Sequence, residues 1–310
     1  MKTKIQTLPL MLIASAVLFF TSCQKESSLL VDDSYSAEDN SDVSSALDYS
    51  VDDAGNVADG VEALSGKTDG MIGICGADID TSQKSAGIVV INYNGTVCPN
   101  GIKRTGSITL TVQGYANGSR WKDQGTVLEV LFDSVNVSKL NGKSVTLNGT
   151  HFLTNETGGR PGKVMSGLEP GPVAIRHTAN NFSLTLPNGA QRTWSVNRLR
   201  TYTFANGIKT ITLSSDHTEG GVVNADSWGT NRNGVSFINS ITTPLVSNNN
   251  CGWLKPVQGE VNHNVGTKNV NVVFGVDNNG NPISSGCAYG FKITYTKNGI
   301  VKTRVVSYWF

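Results

Sequence analysis

The chain has 310 residues, room for one large or two modest domains, and a formal net charge of +1. Only 16% of its residues are charged and 34 are glycine. That excludes a coiled coil or a long amphipathic bundle, whose helices need a charged face in water, and also a collagen repeat or a basic nucleic-acid tail. The chain opens on Met1-Lys2-Thr3-Lys4, a basic start, followed by an apolar run from Leu8 to Phe20 broken only by Pro9. Thirteen residues of helix cover about 20 Å, short of the ~30 Å hydrocarbon core, so this is no membrane-spanning helix. Its length is that of the apolar segment of an export signal.

The run ends in Phe20-Thr21-Ser22-Cys23. This resembles the lipobox of bacterial lipoproteins, with Phe20 where that family usually has leucine. The resemblance implies that residues 1–22 are a type II signal peptide and that Cys23 carries a diacylglyceryl anchor. Gln24-Lys25-Glu26 and the Ser/Asp-rich residues after it resemble the export tag of surface lipoproteins in Bacteroidota-type Gram-negative bacteria. What that resemblance implies is an outer-membrane protein, held in the lipid by acylated Cys23 and facing the cell surface.

Residues 23–70 then read as a tether. Between Lys25 and Lys67 there are eleven acids, from Glu26 to Glu62, and no base; the only aromatics are Tyr35 and Tyr49. Such a stretch buries too little apolar surface to offset ordering entropy and repels itself, so disorder is expected, with an average reach of about 35–40 Å for some 45 residues. The alternative, a helical hairpin near Ala46 or Val61, shows no sustained 3.6-residue period on this reading.

Residues 71–310 carry 21 Lys and Arg against 12 Asp and Glu, a net of +9. Anionic partners such as a glycan or another surface polymer suit that charge. The bases are scattered singly, on what read as solvated strand faces, which argues against a nucleic-acid site. Period-two runs recur at Ile88–Tyr93, Ser107–Gln113, Thr126–Val137, Phe182–Leu186, Trp194–Phe204, Ile208–Leu213, Val270–Phe274, Phe291–Tyr295 and Ile300–Val306. Asn141-Gly142, Asn188-Gly189, Asn206-Gly207 and Asn298-Gly299 supply hairpin chemistry between them. The expected fold is all-β, an antiparallel sandwich or barrel-like body. Apolar patterning lapses near Pro244–Asn250, so residues 71–246 are the main domain and 251–310 either a small C-terminal module or part of the same core. In texture this body is similar to β-rich lipoproteins of the same bacterial group that have no assigned activity. A further reading has the terminal strand Val305–Phe310 donated to a neighbouring chain.

Setting Cys23 aside leaves Cys75, Cys98, Cys251 and Cys287, which allow three pairings in an oxidising compartment. Cys75 with Cys98 and Cys251 with Cys287 is the expected one, because each pair brackets one strand-rich segment. Each segment also repeats the order strand, Gly/Asn loop, Cys-x-x-Gly, Thr-rich strand. No CxxC occurs, so no metal is expected.

Chemistry is sparse. His151, His177, His217 and His263 lie far apart, and only Asp216-His217 with Glu219 forms a local acid/His group, read as a solvated turn. Gly159-Arg160-Pro161-Gly162-Lys163 lacks the spacing and hydroxyl of a phosphate loop, and no Gly-x-Ser-x-Gly elbow occurs. Glu129, Asp133 and Glu156 are the carboxylates to test for glycoside hydrolysis. Trp121 and Trp228 lie in Gly/Ser loops, where an exposed pair would form a glycan platform, whereas Trp194 on a strand reads as core. Asp133-Ser134-Val135 resembles the Asp-Ser/Thr motif that these bacteria O-glycosylate. No catalytic residue and no cofactor are assigned. The expected function is a lipid-anchored envelope protein with a non-enzymatic binding or structural role; the alternatives are a glycan-binding accessory and a carboxylate-dependent glycan hydrolase.

Overall fold

The structure, a computed structural model, describes residues 33–67, 73–140, 142–186 and 188–308. Cys23, the segments read as a signal peptide and an export tag, and Trp309 and Phe310 lie outside the described residues. The described chain begins with helix α1 (Asp33–Gly60) and a short α2 (Glu62–Ser65); α3 (Pro161–Met165) comes later. The strands are β1 (Ala77–Asp80), β2 (Ile88–Val97), β3 (Ile102–Val112), β4 (Val127–Lys139), β5 (Ser144–Asn155), β6 (Val173–Thr185), β7 (Gln191–Ala205), β8 (Ile208–Ser214), β9 (Thr218–Glu219), β10 (Val222–Val223), β11 (Ala225–Thr230), β12 (Ser236–Asn248), β13 (Gln258–Val265), β14 (Lys268–Val276), β15 (Gly290–Lys297) and β16 (Ile300–Ser307).

Fourteen of these strands form one antiparallel sheet in almost strict chain order; β9 and β10 make a separate hairpin. β8 and β11 lie end to end between β7 and β12, each covering part of both neighbours. The sheet runs on through β13 to β16 without a break, so the lapse in pattern near Pro244–Asn250 covers the end of β12 and the turn after it and is not the end of the sheet. Alternation explains the strands locally. On β3, Ile108, Leu110 and Val112 are buried while Thr109 and Thr111 are half-exposed, as period-two packing requires. Asn206-Gly207 and Asn298-Gly299 have positive φ at both positions, giving the tight turns of the β7–β8 and β15–β16 hairpins.

A line of bulges bends the first half of the sheet. Register shifts fall at Asn94/Val97, Thr105/Ser107, Phe132/Val135, Asn148/Phe152 and Ala179/Phe182, in successive strand pairs from β2–β3 to β6–β7. Each bulge adds local twist, and neighbouring bulges add up to curvature across the strands. Gly106 shows how tight the bend is. Its φ is +92°, and a Cβ there would sit 2.4 Å from the Ser134 carbonyl oxygen, so only glycine fits.

The acidic segment expected as a disordered tether is, over residues 33–65, helical and buried inside the curve of the sheet. The apolar period is present after all: Val43, Ala46, Leu47, Val51, Ala54, Val57, Ala58, Val61 and Leu64 are buried in the main core at spacings of three and four. Ala and Val, with Ser50 filling a buried turn, make that stripe weakly hydrophobic, and the acids between them obscure it. α1 carries eight acids and no base, so alone it would repel itself; the surrounding sheet supplies the countercharge. A second, smaller core joins Ala37 to Ile241, Val261, Val270, Val272, Phe291 and Ile293.

β16 is paired along its whole length with β15, including Val305 and Val306. Donation of that strand to another chain is therefore ruled out in this fold.

Candidate functional site

The inner face of the sheet is where charge gathers. On β7, Trp194, Val196, Arg198, Arg200 and Tyr202 share one parity and all are buried. Arg198 donates to Asp48 at 2.5 Å and to Ser44 at 2.7 Å, and Arg200 donates to Asp52 at 2.8 Å. Arg104 of β3 lies between the rings of Tyr49 and Tyr93, 4.6 and 4.5 Å from their centroids, and pairs with Asp53, which also accepts from the Tyr93 hydroxyl. Towards the start of α1, Asp39 pairs with Arg232, Glu38 with Lys143 and Arg304, and Asp42 with Lys143. The bases read as solvated strand decoration are thus, at Arg104, Arg192, Arg198 and Arg200, part of the interior. Their parity with Trp194 and Tyr202 was the available signal.

Burial governs the acids. Desolvation pushes Asp42 and Asp226 up to about 6, and Asp59 up to about 7. Asp59 rises in spite of hydrogen bonds from the Gly162 amide (2.6 Å) and the Trp121 indole (2.8 Å). Burial also holds His151 and His263 down at about 3 and His177 well below its usual value, with Arg198 and Arg200 adding to the effect on the first and last. His263 hydrogen-bonds Asn239 at 2.6 Å and Ser36 at 2.9 Å. His151 and His177 are fully buried, their rings edge-on at 5.4 Å, and neither has a hydrogen-bond partner on either nitrogen. Two cavities lie along α1 and share Ile211 and Trp253: one of about 90 Å³ beside His263, the other of about 330 Å³ beside His177.

The residues singled out from the sequence fall elsewhere. Trp121 is 1% exposed and its indole is engaged by Asp59, so the two-tryptophan glycan platform does not exist. Trp228 is half-buried with the His217 ring stacked on it at 4.9 Å. His217 meets Glu219 at 3.4 Å in the β9–β10 hairpin. Trp194 is core, as expected. Glu129 and Asp133 share the outer face of β4, whereas Glu156 pairs with Arg176, which also binds Asp216; none of the three lines either of the two cavities along α1. Ser134 is exposed at the β4 bulge.

Comparison with known protein families, with characterised proteins and with solved structures finds no match to this chain. The cysteines pair as Cys75–Cys98 and Cys251–Cys287, the expected connectivity. Such bonds persist outside the reducing cytosol, so the body is extracytoplasmic. Among the described residues, no helix is long and apolar enough to cross a membrane, and no group of three or more His, Cys, Asp or Glu could hold a metal ion.

Proposed function

We propose that the protein is a lipoprotein of the outer membrane, anchored through acylated Cys23, whose wrapped sheet serves a binding role and not a catalytic one. The observation that carries the non-enzymatic part is what fills the concave face. Where a substrate would sit, α1 places Asp48, Asp52 and Asp53 against Arg198, Arg200 and Arg104. Acids and bases committed to each other inside a core hold structure together and are not free to shuttle protons. The lipobox resemblance and the two disulfides support the address.

Only nine residues, 24–32, separate Cys23 from α1, no more than about 30 Å of extended chain. A protein anchored there is held on a short leash instead of the 45-residue tether read from the sequence. Metabolic labelling with radioactive palmitate tests the anchor. The wild type should incorporate label and sediment with membranes, and Cys23→Ser should lose both properties. An unmodified Cys23 thiol in the mature protein would refute the proposal.

A further inference from the structure

The first turns of α1 mark one end of the sheet. Glu38 and Asp42 meet Lys143 of the β4–β5 turn, and Asp39 meets Arg232 of the β11–β12 turn. Arg304 of β16 pairs with Glu38 and lies over the Tyr35 ring at 4.6 Å. Strand register brings three further turns to the same end. Thr146 pairs with Thr185 beside the β6–β7 turn, Phe237 with Val265 beside the β13–β14 turn, and Asn271 with Thr294 close to the β15–β16 turn. The last turn of α1 lies at the other end, where Asp59 accepts from Trp121 and Gly162 in the β3–β4 and β5–β6 connections.

Charge at the first end has one sign in the turns. Residues 140–144, 186–191, 230–236, 265–269 and 296–302 hold Lys143, Arg232, Lys268, Lys297 and Lys302 and no acid. The connections at the other end mix signs, with Asp123, Glu156, Glu169 and Asp277 among their bases. Apolar side chains stand among the lysines: Leu140 is 78% exposed, Ile300 62% and Val301 67%. Ile300 and Val301 fall between Lys297 and Lys302 on the β15–β16 hairpin. Exposed apolar groups flanked by long basic side chains suit the boundary between water and an anionic bilayer, where the stems bury and the ammonium groups meet phosphate.

The chain leading to this end says what lies opposite it. α1 begins here at Asp33, and residues 24–32 lead back to Cys23 over no more than about 30 Å. A lipid on Cys23 therefore holds these turns next to the bilayer, whereas the other end lies about 40 Å away along the 28-residue helix.

We infer that this end of the sheet is a membrane-docking face, its lysines on the anionic phosphate headgroups of the bilayer and Leu140, Ile300 and Val301 in the interfacial layer. The inference rests on the anchored reading above, and the two fail separately: palmitate labelling reads the anchor, whereas docking is read on a chain without lipid.

The test uses the mature chain, residues 23–310, with Cys23→Ser and both disulfides intact, sedimented with vesicles of phosphatidylcholine alone or mixed with phosphatidylglycerol. It should bind the mixed vesicles and not the neutral ones at about 0.1 M salt, and about 1 M salt, where charges are screened beyond about 3 Å, should release it. Each lysine at the surface is worth about fivefold in partitioning. Lys268→Gln/Lys297→Gln/Lys302→Gln should therefore bind about a hundredfold more weakly. Lys84→Gln/Lys122→Gln/Lys163→Gln removes the same charge from the other end, around Gly66 and in α3, and should stay within about twofold of the parent. With the four native thiols of the body held in disulfides, a fluorophore on Val301→Cys should shift to the blue on the mixed vesicles. No binding to the mixed vesicles, equal loss in the two lysine variants, or an unshifted label overturns the inference. A dimer in solution that only the first lysine variant dissociates also overturns it, by giving the face to a second copy of the chain.

Discussion

Arg198 illustrates what one residue carries in this fold. Its side chain is wholly enclosed, and Asp48 is its close carboxylate, with Asp226 at 3.8 Å. Removing one member of a buried pair leaves a desolvated charge without compensation, so Asp48→Ala should cost about 3–5 kcal/mol in urea unfolding. The double variant Asp48→Leu/Arg198→Met removes both charges and should recover most of that loss. Asp59 makes a prediction about pH. Burial raises it from 3.8 to about 7, so between those values the folded protein holds a proton that the unfolded chain has released. Stability from this group therefore falls as pH rises, by about 1 kcal/mol between pH 6 and pH 8. Asp59→Asn should flatten that limb in melting curves taken across the range. His151, His177 and His263 act in the opposite sense. They stay neutral when folded and protonate below about 6.5 when unfolded, so they withdraw stability as pH falls below that value.

Among the elements, α1 holds the molecule together. Proline at Ala54, buried in mid-helix, would remove a hydrogen bond and clash with the preceding turn; Ala54→Pro should cost about 3 kcal/mol or more, read from the unfolding midpoint. Gly55→Ala should do the reverse. With open space around the new methyl and no positive φ to relieve, it should stabilise by about 0.5–1 kcal/mol. The disulfides act on loops. Cys75–Cys98 closes 23 residues ahead of β3, and Cys251–Cys287 ties the β12–β13 loop to the β14–β15 loop across 36. Replacing either pair by serine should cost about 3–4 kcal/mol in the chain-entropy picture.

At the scale of the whole molecule, helix and sheet depend on each other. The carboxylates of α1 pair with bases from β3, β7, β16 and two hairpin loops, and its apolar stripe lies in the same core as β2 to β7. Folding should therefore be a single event. Circular dichroism and tryptophan fluorescence should report coincident unfolding transitions. Deleting residues 33–65 would expose the inner face and strand its arginines without acids. That variant should bind hydrophobic dyes and lack a cooperative transition; a stable, monomeric sheet without the helix would contradict this account.

Strands, turns and cysteine partners were legible in the chain because each rests on local chemistry: alternation on β3 and β4, Asn-Gly at two hairpins, an even set of cysteines bracketing strand-rich segments. The helix was not, although its spacing was there to be counted from Val43 to Leu64, because its stripe is made of small residues and its acids look like solvent-facing charge. Whether such acids repel into disorder or order against a basic surface depends on bases 51 to 193 residues away, and no local pattern reports a distance of that kind. The same holds for His177, which reads as one imidazole on a strand; only the tertiary packing leaves it dry and without hydrogen-bond partners.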